Sequence, residues 1–359
     1  MDGGARVDGG ASQTSRCRHS ARMRPPPSHR RPSRSAARPA LPERPIDHEG
    51  AAALGWTRAA LRHALAAGDV VSGGRGVVLG LAGAAPGSPN RRQVERALLD
   101  AARASAVRCP RAVISHFPAA VATGMPTVGA LSRPCLSVPA GTALRHLVGA
   151  HLHRATLPER DLVHAQGDLV TSPARTIMDI AREHGVRAGV VAADYALHEG
   201  LVSRGDLADA YEACARWPGR RSARITLLSA DGAAESPLES LSRMQFAAAG
   251  LPAPLPQAEI CSISGEYITR SDFLWDEFGV VGEADGNAKY GPDGRVAVRE
   301  RETRAKLERA GLIVVQWGWR DLRDFRPVLD RLQLAFARGV RPGSKSRQWG
   351  ILLPTRLHP

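Results

Sequence analysis

The spacing of apolar positions divides the chain into stretches of different texture. Residues 1–45 hold few large apolar side chains and are rich in Arg, Ser and Pro, as in Pro25-Pro26-Pro27 and Arg30-Arg31-Pro32. Such a segment cannot bury enough surface to offset the entropy of ordering, so a disordered basic segment is expected. It reads either as an arm that adds nonspecific DNA affinity or, the favoured reading, as a translated upstream extension. Residues 46–85 are expected to form a small unit. Residues 47–54 read as a short helix that Gly55 breaks. Thr57 is placed to N-cap a second helix over 58–67, with Leu61 and Leu65 on one face and Gly68 closing it. Val70-Val71 and Gly76-Val77-Val78-Leu79 then flank Ser72-Gly73-Gly74-Arg75 as a tight hairpin.

Helix, turn, helix and two-stranded ribbon is the order of a winged helix-turn-helix. In that geometry Thr57, Arg58, Arg62 and His63 lie on the exposed face of the second helix, and Arg75 sits at the wing tip within reach of a phosphate. A small helical cap with a solvated face or a protein-binding wing explains the same pattern equally well.

Residues 86–230 read as a mostly helical middle domain. Helices are predicted over 91–106, 173–181 and 186–199. Ser172 is the N-cap and Pro173 the N1 residue of the second of these. Ser203 and Asp206 make a capping box for a further helix ending near Trp217. Residues 135–138 read as a strand. His116, His146, His151, His153 and His164 show no helical metal spacing. His151 and His153 would share a strand face able to bind metal, though an ordinary polar face is the favoured reading. No catalytic constellation is expected in this region.

Residues 231–339 carry ten of the sixteen aromatic residues, the mark of a separately packed domain. The predicted order is helix (236–249), strand (267–275), strand (280–285), helix (296–310), strand (312–317) and helix (326–337). A hairpin followed by a strand–helix–strand crossover gives a mixed sheet flanked by helices, and a mixed α/β (α+β) fold overall. Residues 340–359 read as a basic flexible tail.

At 359 residues, two or three domains are expected. Apolar residues form 43% of the chain, which excludes wholesale disorder. The longest apolar run, residues 76–85, is half the length that a membrane-spanning helix needs. The arginine-rich start has no apolar h-region, so neither a secretory signal nor a membrane partner is expected. The five cysteines include no CxxC pair, which argues against a disulfide framework and for the cytoplasm. The net charge of +14 is uneven. Residues 1–45 contribute +7, residues 340–359 contribute +4, and the body between them only +3. Charge alone therefore does not mark the folded part as a DNA binder. Only Lys289, Lys306 and Lys345 are lysines, so each draws attention.

The sharpest candidate chemistry lies in the hairpin at 267–285. If Asp276-Glu277-Phe278-Gly279 is a four-residue loop, Asp272 and Glu283 are cross-strand neighbours with Cβ atoms about 5 Å apart. Asp285 shares their face. Their surroundings are apolar, and facing carboxylates in such a setting ask for a cation between them, Mg²⁺ or Mn²⁺ by hardness. A solvated sheet end is the alternative. Glu239 is a further candidate ligand, although Ser236-Pro237-Leu238-Glu239 also reads as a capping box.

This order of Glu on a helix, Asp on a strand and Glu on the next strand resembles the PD-(D/E)XK nucleases of the restriction-endonuclease-like fold. Ser236-Pro237-Leu238-Glu239 with Leu241 and Ala249-Gly250-Leu251 looks like the opening helix of Vsr-type, very-short-patch-repair-like members. Arg270-Ser271-Asp272-Phe273 and Val281-Gly282-Glu283-Ala284-Asp285-Gly286 resemble the strands of a Vsr-related family. Arg304, Leu307, Gly311 and Val314-Val315 fit its closing helix and strand. The rest of the chain is similar to proteins in which this domain follows an AbiEi-like antitoxin region. That likeness rests on Leu54-Gly55-Trp56-Thr57, Gly74-Arg75-Gly76-Val77, Ile114-Ser115-His116 with Ala119-Ala120, and Thr171-Ser172-Pro173-Ala174-Arg175-Thr176 with Asp179. It implies a DNA-binding winged helix, a middle domain of antitoxin type and a cognate toxin as partner. The family's lysine two residues after Glu283 is Asp285 here, and Lys289 stands where related sequences carry a histidine.

Two functions follow. The first is a metal-dependent DNA endonuclease, with Glu239, Asp272 and Glu283 holding Mg²⁺ or Mn²⁺, Asp285 assisting and Lys289 stabilising charge. The second is a non-catalytic, antitoxin-like transcriptional regulator whose nuclease-fold domain is inactive. The departure at Asp285 favours the regulator and the intact carboxylate face favours the enzyme.

Overall fold

The computed structural model describes residues 48–67, 70–74, 77–80, 89–107, 109, 111–131, 133–143, 146–147, 149–286, 294–339 and 347–352. Residues 1–45, Gly68, Arg75 and Lys289, for which expectations were stated above, lie outside them.

Two short helices open the described chain: α1 (His48–Ala53) and α2 (Arg58–Ala67). Gly55 turns between them at φ 83°, a left-handed conformation that suits a residue without Cβ. Thr57 Oγ1 accepts from the Ala60 N–H at 3.1 Å and so caps α2. Ala51, Trp56, Leu61 and Ala64 form the small core beneath. An antiparallel hairpin follows, β1 (Val70–Gly74) and β2 (Val77–Gly80). Its first strand continues past Val71 to Gly74 with a bulge after Ser72, so the connection is shorter than the sequence implied.

The middle region is rich in helix, as expected, but it also holds a sheet of which the pattern showed only the strand at 135–138. It contains a five-stranded mixed sheet in the order β5-β4-β3-β7-β6. The strands are β3 (Val113–Ser115), β4 (Cys135–Pro139), β5 (His151–Ala155), β6 (Leu162–Ala165) and β7 (Asp168–Thr171). At three to five residues each they are too short for alternation to register, and β5 carries a single large apolar residue. Around the sheet lie α3 (Pro89–Val107), α4 (His116–Ala122), α5 (Pro173–His184), α6 (Val186–His198), α7 (Arg204–Ala213) and α8 (Arg220–Ser229). Ser172 caps α5, and the Ser203–Asp206 capping box opens α7. α7 ends at Ala213, before Trp217, because Cys214 leads into turns that reach the left-handed Gly219 at the start of α8. α5, α6 and α8 pack closely: a Cβ at Gly189 would lie 2.6 Å from both Ala181 Cβ and Thr226 Oγ1.

The C-terminal region is the part that the pattern predicted best. α9 (Pro237–Ala248) precedes a second five-stranded sheet, ordered β11-β10-β9-β8-β12. Its strands are β8 (Leu255–Ser262), β9 (Tyr267–Trp275), β10 (Val280–Asp285), β11 (Ile313–Gly318) and β12 (Trp349–Leu352). β9 and β10 are the antiparallel hairpin, and α10 (Gly294–Arg309) makes the crossover that sets β11 parallel to β10. α11 (Arg326–Arg338) closes the layer. Phe246 of α9 sits among Phe273, Trp275, Trp317 and Phe325 with ring centroids 5.2, 5.1, 5.5 and 5.8 Å away. These contacts are mostly edge-on or tilted, as aromatic quadrupoles prefer.

Residues 340–359 are not all a flexible tail. Trp349–Leu352 forms the edge strand β12 against β8, with Trp349 buried beside Ile260 and Leu274. Arg347 donates to both Asp276 oxygens, at 3.1 and 2.8 Å.

Candidate functional site

The α1–α2 unit separates its faces cleanly. Trp56, Leu61 and Ala64 are buried, while Thr57, Arg58, Arg62 and His63 are exposed. Arg58, Arg62 and His63 of α2 and its cap Thr57 are therefore all open to a partner.

The hairpin carboxylates stand in the expected register. Val280 pairs with Trp275, Val281 with Leu274 and Gly282 with Phe273. One step further stand Glu283 and Asp272, and Asp272 Oδ2 accepts from the Ala284 N–H at 2.7 Å. Asp272, Glu283 and Asp285 are all half-buried. Glu239 is buried, and its role at the helix start differs from the expected reciprocal box. Ser236 Oγ accepts from the Glu239 N–H at 3.2 Å, but Glu239 Oε2 accepts from the Glu235 N–H (3.0 Å) and Gln257 Nε2 (2.8 Å) instead of the Ser236 amide.

A different cluster is the best assembled one among the described residues. β3 runs directly into α4, and His116 occupies the junction at φ 56°. A left-handed backbone at a residue with a side chain costs on the order of 1–3 kcal/mol and persists where the surroundings enforce it. His116 is almost fully buried, and its Nδ1 lies 2.9 Å from Ser115 Oγ. Its ring stacks on His153 of β5 with centroids 3.9 Å apart, and His153 in turn lies 4.2 Å from the ring of His151. Glu183, near the end of α5, places Oε1 2.9 Å from His153 Nδ1 and 3.4 Å from His116 Nε2. Desolvation pulls the Glu183 carboxyl upward, yet these imidazole contacts outweigh it and hold the group well below the usual carboxylate range. Cys135 at the start of β4 completes the group, its thiol pushed up to about 12 by burial and by the charges of Glu183 and Asp179. Donor atoms of His116, Cys135 and His153 all lie within 4.8 Å of one another, and the same holds for His151, His153 and Glu183. Among the described residues no such grouping joins Glu239, Asp272 and Glu283.

His116, His153 and Glu183 line a cavity of about 290 Å³ with Arg154, Arg175, Arg182 and Trp217. The buried Arg175 bridges Asp179 and Asp161, both at 2.8 Å. Its guanidinium carbon lies 4.3 Å from the centre of the Trp217 ring, and that of Arg182 lies 4.8 Å from it. Sequence reasoning paired His151 with His153 but missed His116, Cys135 and Glu183, which three separate segments deliver. The Ile114-Ser115-His116 and Arg175/Asp179 motifs were visible without their chemistry, because only the fold brings them to one cavity.

Residues 113–228 match the model of the AbiEi antitoxin C-terminal domain. The matched span runs from β3 to α8 and contains both the histidine cluster and the arginine cavity. The chain is also similar to two uncharacterised proteins of Mycobacterium tuberculosis, from strains CDC 1551 and H37Rv, each 30% identical over 178 residues. The alignments cover 49% of this chain and 63% of those proteins, so the chain spans under two thirds of the length of the curated relatives that it matches. Among the described residues no helix is long and apolar enough to cross a membrane.

Proposed function

We propose that this protein is a cytoplasmic, antitoxin-type transcriptional regulator that binds DNA through α2 and its hairpin and works beside a cognate toxin. The observation that carries this reading is the match of residues 113–228 to the AbiEi antitoxin C-terminal domain. The N-terminal unit supports it, since a capped helix exposing Thr57, Arg58, Arg62 and His63 next to a two-stranded ribbon has the parts of a winged reader. Arg58 and Arg62 face base edges and Arg75 contacts a phosphate. In fluorescence anisotropy the Arg58→Ala/Arg62→Ala double variant is expected to weaken a selected site more than scrambled DNA, by about 1–3 kcal/mol per lost base contact. Equal binding of both DNAs by variant and wild type overturns this assignment.

A second reading rests on the register that makes Asp272 and Glu283 cross-strand neighbours. Here the region 231–339 is a Vsr-like, PD-(D/E)XK-type nuclease domain. Glu239, Asp272 and Glu283 hold Mg²⁺ or Mn²⁺, Asp285 assists, and Lys289 supplies positive charge at the phosphate. The metal would supply an acidified water and charge neutralisation at phosphorus. Cleavage of DNA with Mn²⁺, abolished by Glu283→Ala in a folded protein, is the expected result under this reading. A wild-type protein inert on duplex, mismatched, branched and single-stranded DNA eliminates it.

A further inference from the structure

We propose that His116, Cys135 and His153 form a binding site for one borderline-soft divalent cation, zinc by donor preference. The site is independent of both functional readings above and lies in the middle region, away from the hairpin carboxylates.

Three observations carry it. The first is the donor set. Two imidazoles and a thiol have donor atoms within 4.8 Å of one another, and closing to the roughly 3.3–3.8 Å of a tetrahedral zinc shell asks the stacked rings of His116 and His153 to splay on binding. The second is a pair of poorly satisfied buried nitrogens. His153 Nε2 is buried and makes no hydrogen bond, and His116 Nε2, also buried, has only the longer 3.4 Å contact to Glu183 Oε1. Buried ring nitrogens are costly to leave unsatisfied, and a cation accepted by both lone pairs removes that cost. The third is the arrangement of the opposite ring nitrogens. His153 Nδ1 faces Glu183 Oε1 at 2.9 Å and His116 Nδ1 faces Ser115 Oγ at 2.9 Å. Metal-bound histidines nearly always donate their second N–H to such a group, which fixes the tautomer and aims the ligating nitrogen. Glu183 thus acts as a positioning residue for His153, while its 3.4 Å contact to His116 Nε2 is the one that the metal would replace.

His116 also holds a left-handed backbone at the strand–helix junction, a strain that persists where the surroundings enforce it. On binding, the Cys135 thiol gives its proton to solvent and the thiolate joins the metal. His116 and His153 line the cavity and Cys135 does not. A three-ligand site of this kind keeps its fourth position on the cavity side, among Arg154, Arg175 and Arg182, where an anionic ligand or water fits.

The rival grouping is His151, His153 and Glu183. It would draw on the Glu183 oxygen that already faces His153 Nδ1, and it leaves the buried His116 and Cys135 unused.

Cobalt(II) is the probe, because it reports thiolate ligation and tetrahedral geometry by absorption without reference to any activity. Adding Co²⁺ to the metal-free full-length chain should give intense tetrahedral d–d bands and a thiolate-to-cobalt charge-transfer band, saturating at one equivalent and displaced by Zn²⁺. Cys135→Ser should abolish the charge-transfer band, and Cys261→Ser, a buried thiol of the other sheet, should keep it. Should Cys135→Ser fail to fold, Glu183→Gln serves instead, with an expected 10–100-fold loss of zinc affinity and an intact charge-transfer band. The proposal is overturned by absence of the charge-transfer band in wild type, by its survival in Cys135→Ser, or by unchanged zinc affinity in Glu183→Gln. Tetrahedral bands without thiolate character assign the metal to the His151 group and overturn it equally.

Discussion

Arg243 of α9 places its Nη2 2.8 Å from Asp194 Oδ2 of α6, joining the last sheet region to the middle helices across 49 residues of sequence. Asp194 is wholly buried, and Leu241 from the same α9 packs into the core built by α5 and α6. Burial raises the Asp194 carboxyl, and Arg243, the Asp231 amide and Ser240 pull it back. Truncating one partner leaves an uncompensated buried charge, so Arg243→Ala should cost about 3–5 kcal/mol in urea unfolding. The loss should shrink as pH falls, because protonated Asp194 needs no cation and the variant raises its folded pKa further. Arg243→Ala/Asp194→Asn should recover part of the stability. An Arg243→Ala variant as stable as wild type at neutral pH contradicts this account.

Gly189 tests the packing of the same bundle. A methyl group there meets Ala181 and Thr226 at 2.6 Å, and the Ala181 backbone leaves it no room to yield. Helix propensity alone would make Gly189→Ala stabilising by up to about 1 kcal/mol. Overpacking should win, giving a net loss of about 1–3 kcal/mol. A melting temperature equal to or above wild type would show that α5 and α6 can separate at small cost.

The contrast between the two sheets explains what the sequence reveals. β9 and β10 are nine and six residues long, are joined by a short turn and are dense in aromatic and β-branched residues. Local pattern therefore sufficed for their bounds, and turn length sufficed for the pairing of Val280 with Trp275. β3, β4 and β5 are brief, and their pairing depends on contacts between distant segments. His116, Cys135 and Glu183 meet only because β3 lies beside β4 and α5 packs on α4. A scan for ligand spacing within one element finds only His151 and His153. β8 and β12 were missed for a related reason: each is satisfied as a strand only by its neighbour in the sheet.

Cys214 offers a test of burial at the C-terminal end of α7. Its thiol is wholly buried and pushed up to about 11, first by desolvation and then by the Asp179 charge. The folded state therefore holds this proton to higher pH than the unfolded chain does. The associated stability is intact below the ordinary thiol pKa near 9 and is lost as pH rises toward 11. At pH 8, iodoacetamide followed by peptide mass spectrometry should find Cys214 almost unlabelled in native protein and fully labelled in denaturant. Rapid native labelling would mean that the α7–α8 corner opens often.

Asp276 anchors the strand that the basic C-terminal segment supplies. Its carboxylate takes two hydrogen bonds from Arg347 and one from Trp349 Nε1 at 3.1 Å, at the first residue of the 3₁₀ turn that links β9 and β10. The Arg347 guanidinium also lies over the Trp349 ring, 4.7 Å from its centre. A paired fork of this kind fixes orientation as well as adding attraction, so it sets the register in which Trp349 meets Ser262 and Ile351 meets Ile260. Asp276→Ala removes all three acceptor contacts while leaving the hairpin core of Phe273 and Trp275 untouched. The expected outcome is local: hydrogen exchange should rise at residues 349–352 and along β8, and trypsin should cut after Arg347 sooner, with a global stability loss of about 1–3 kcal/mol. Asp276→Asn keeps one acceptor oxygen and should fall between the two. Unchanged exchange at residues 349–352 in Asp276→Ala would mean that burial of Trp349 alone holds the strand.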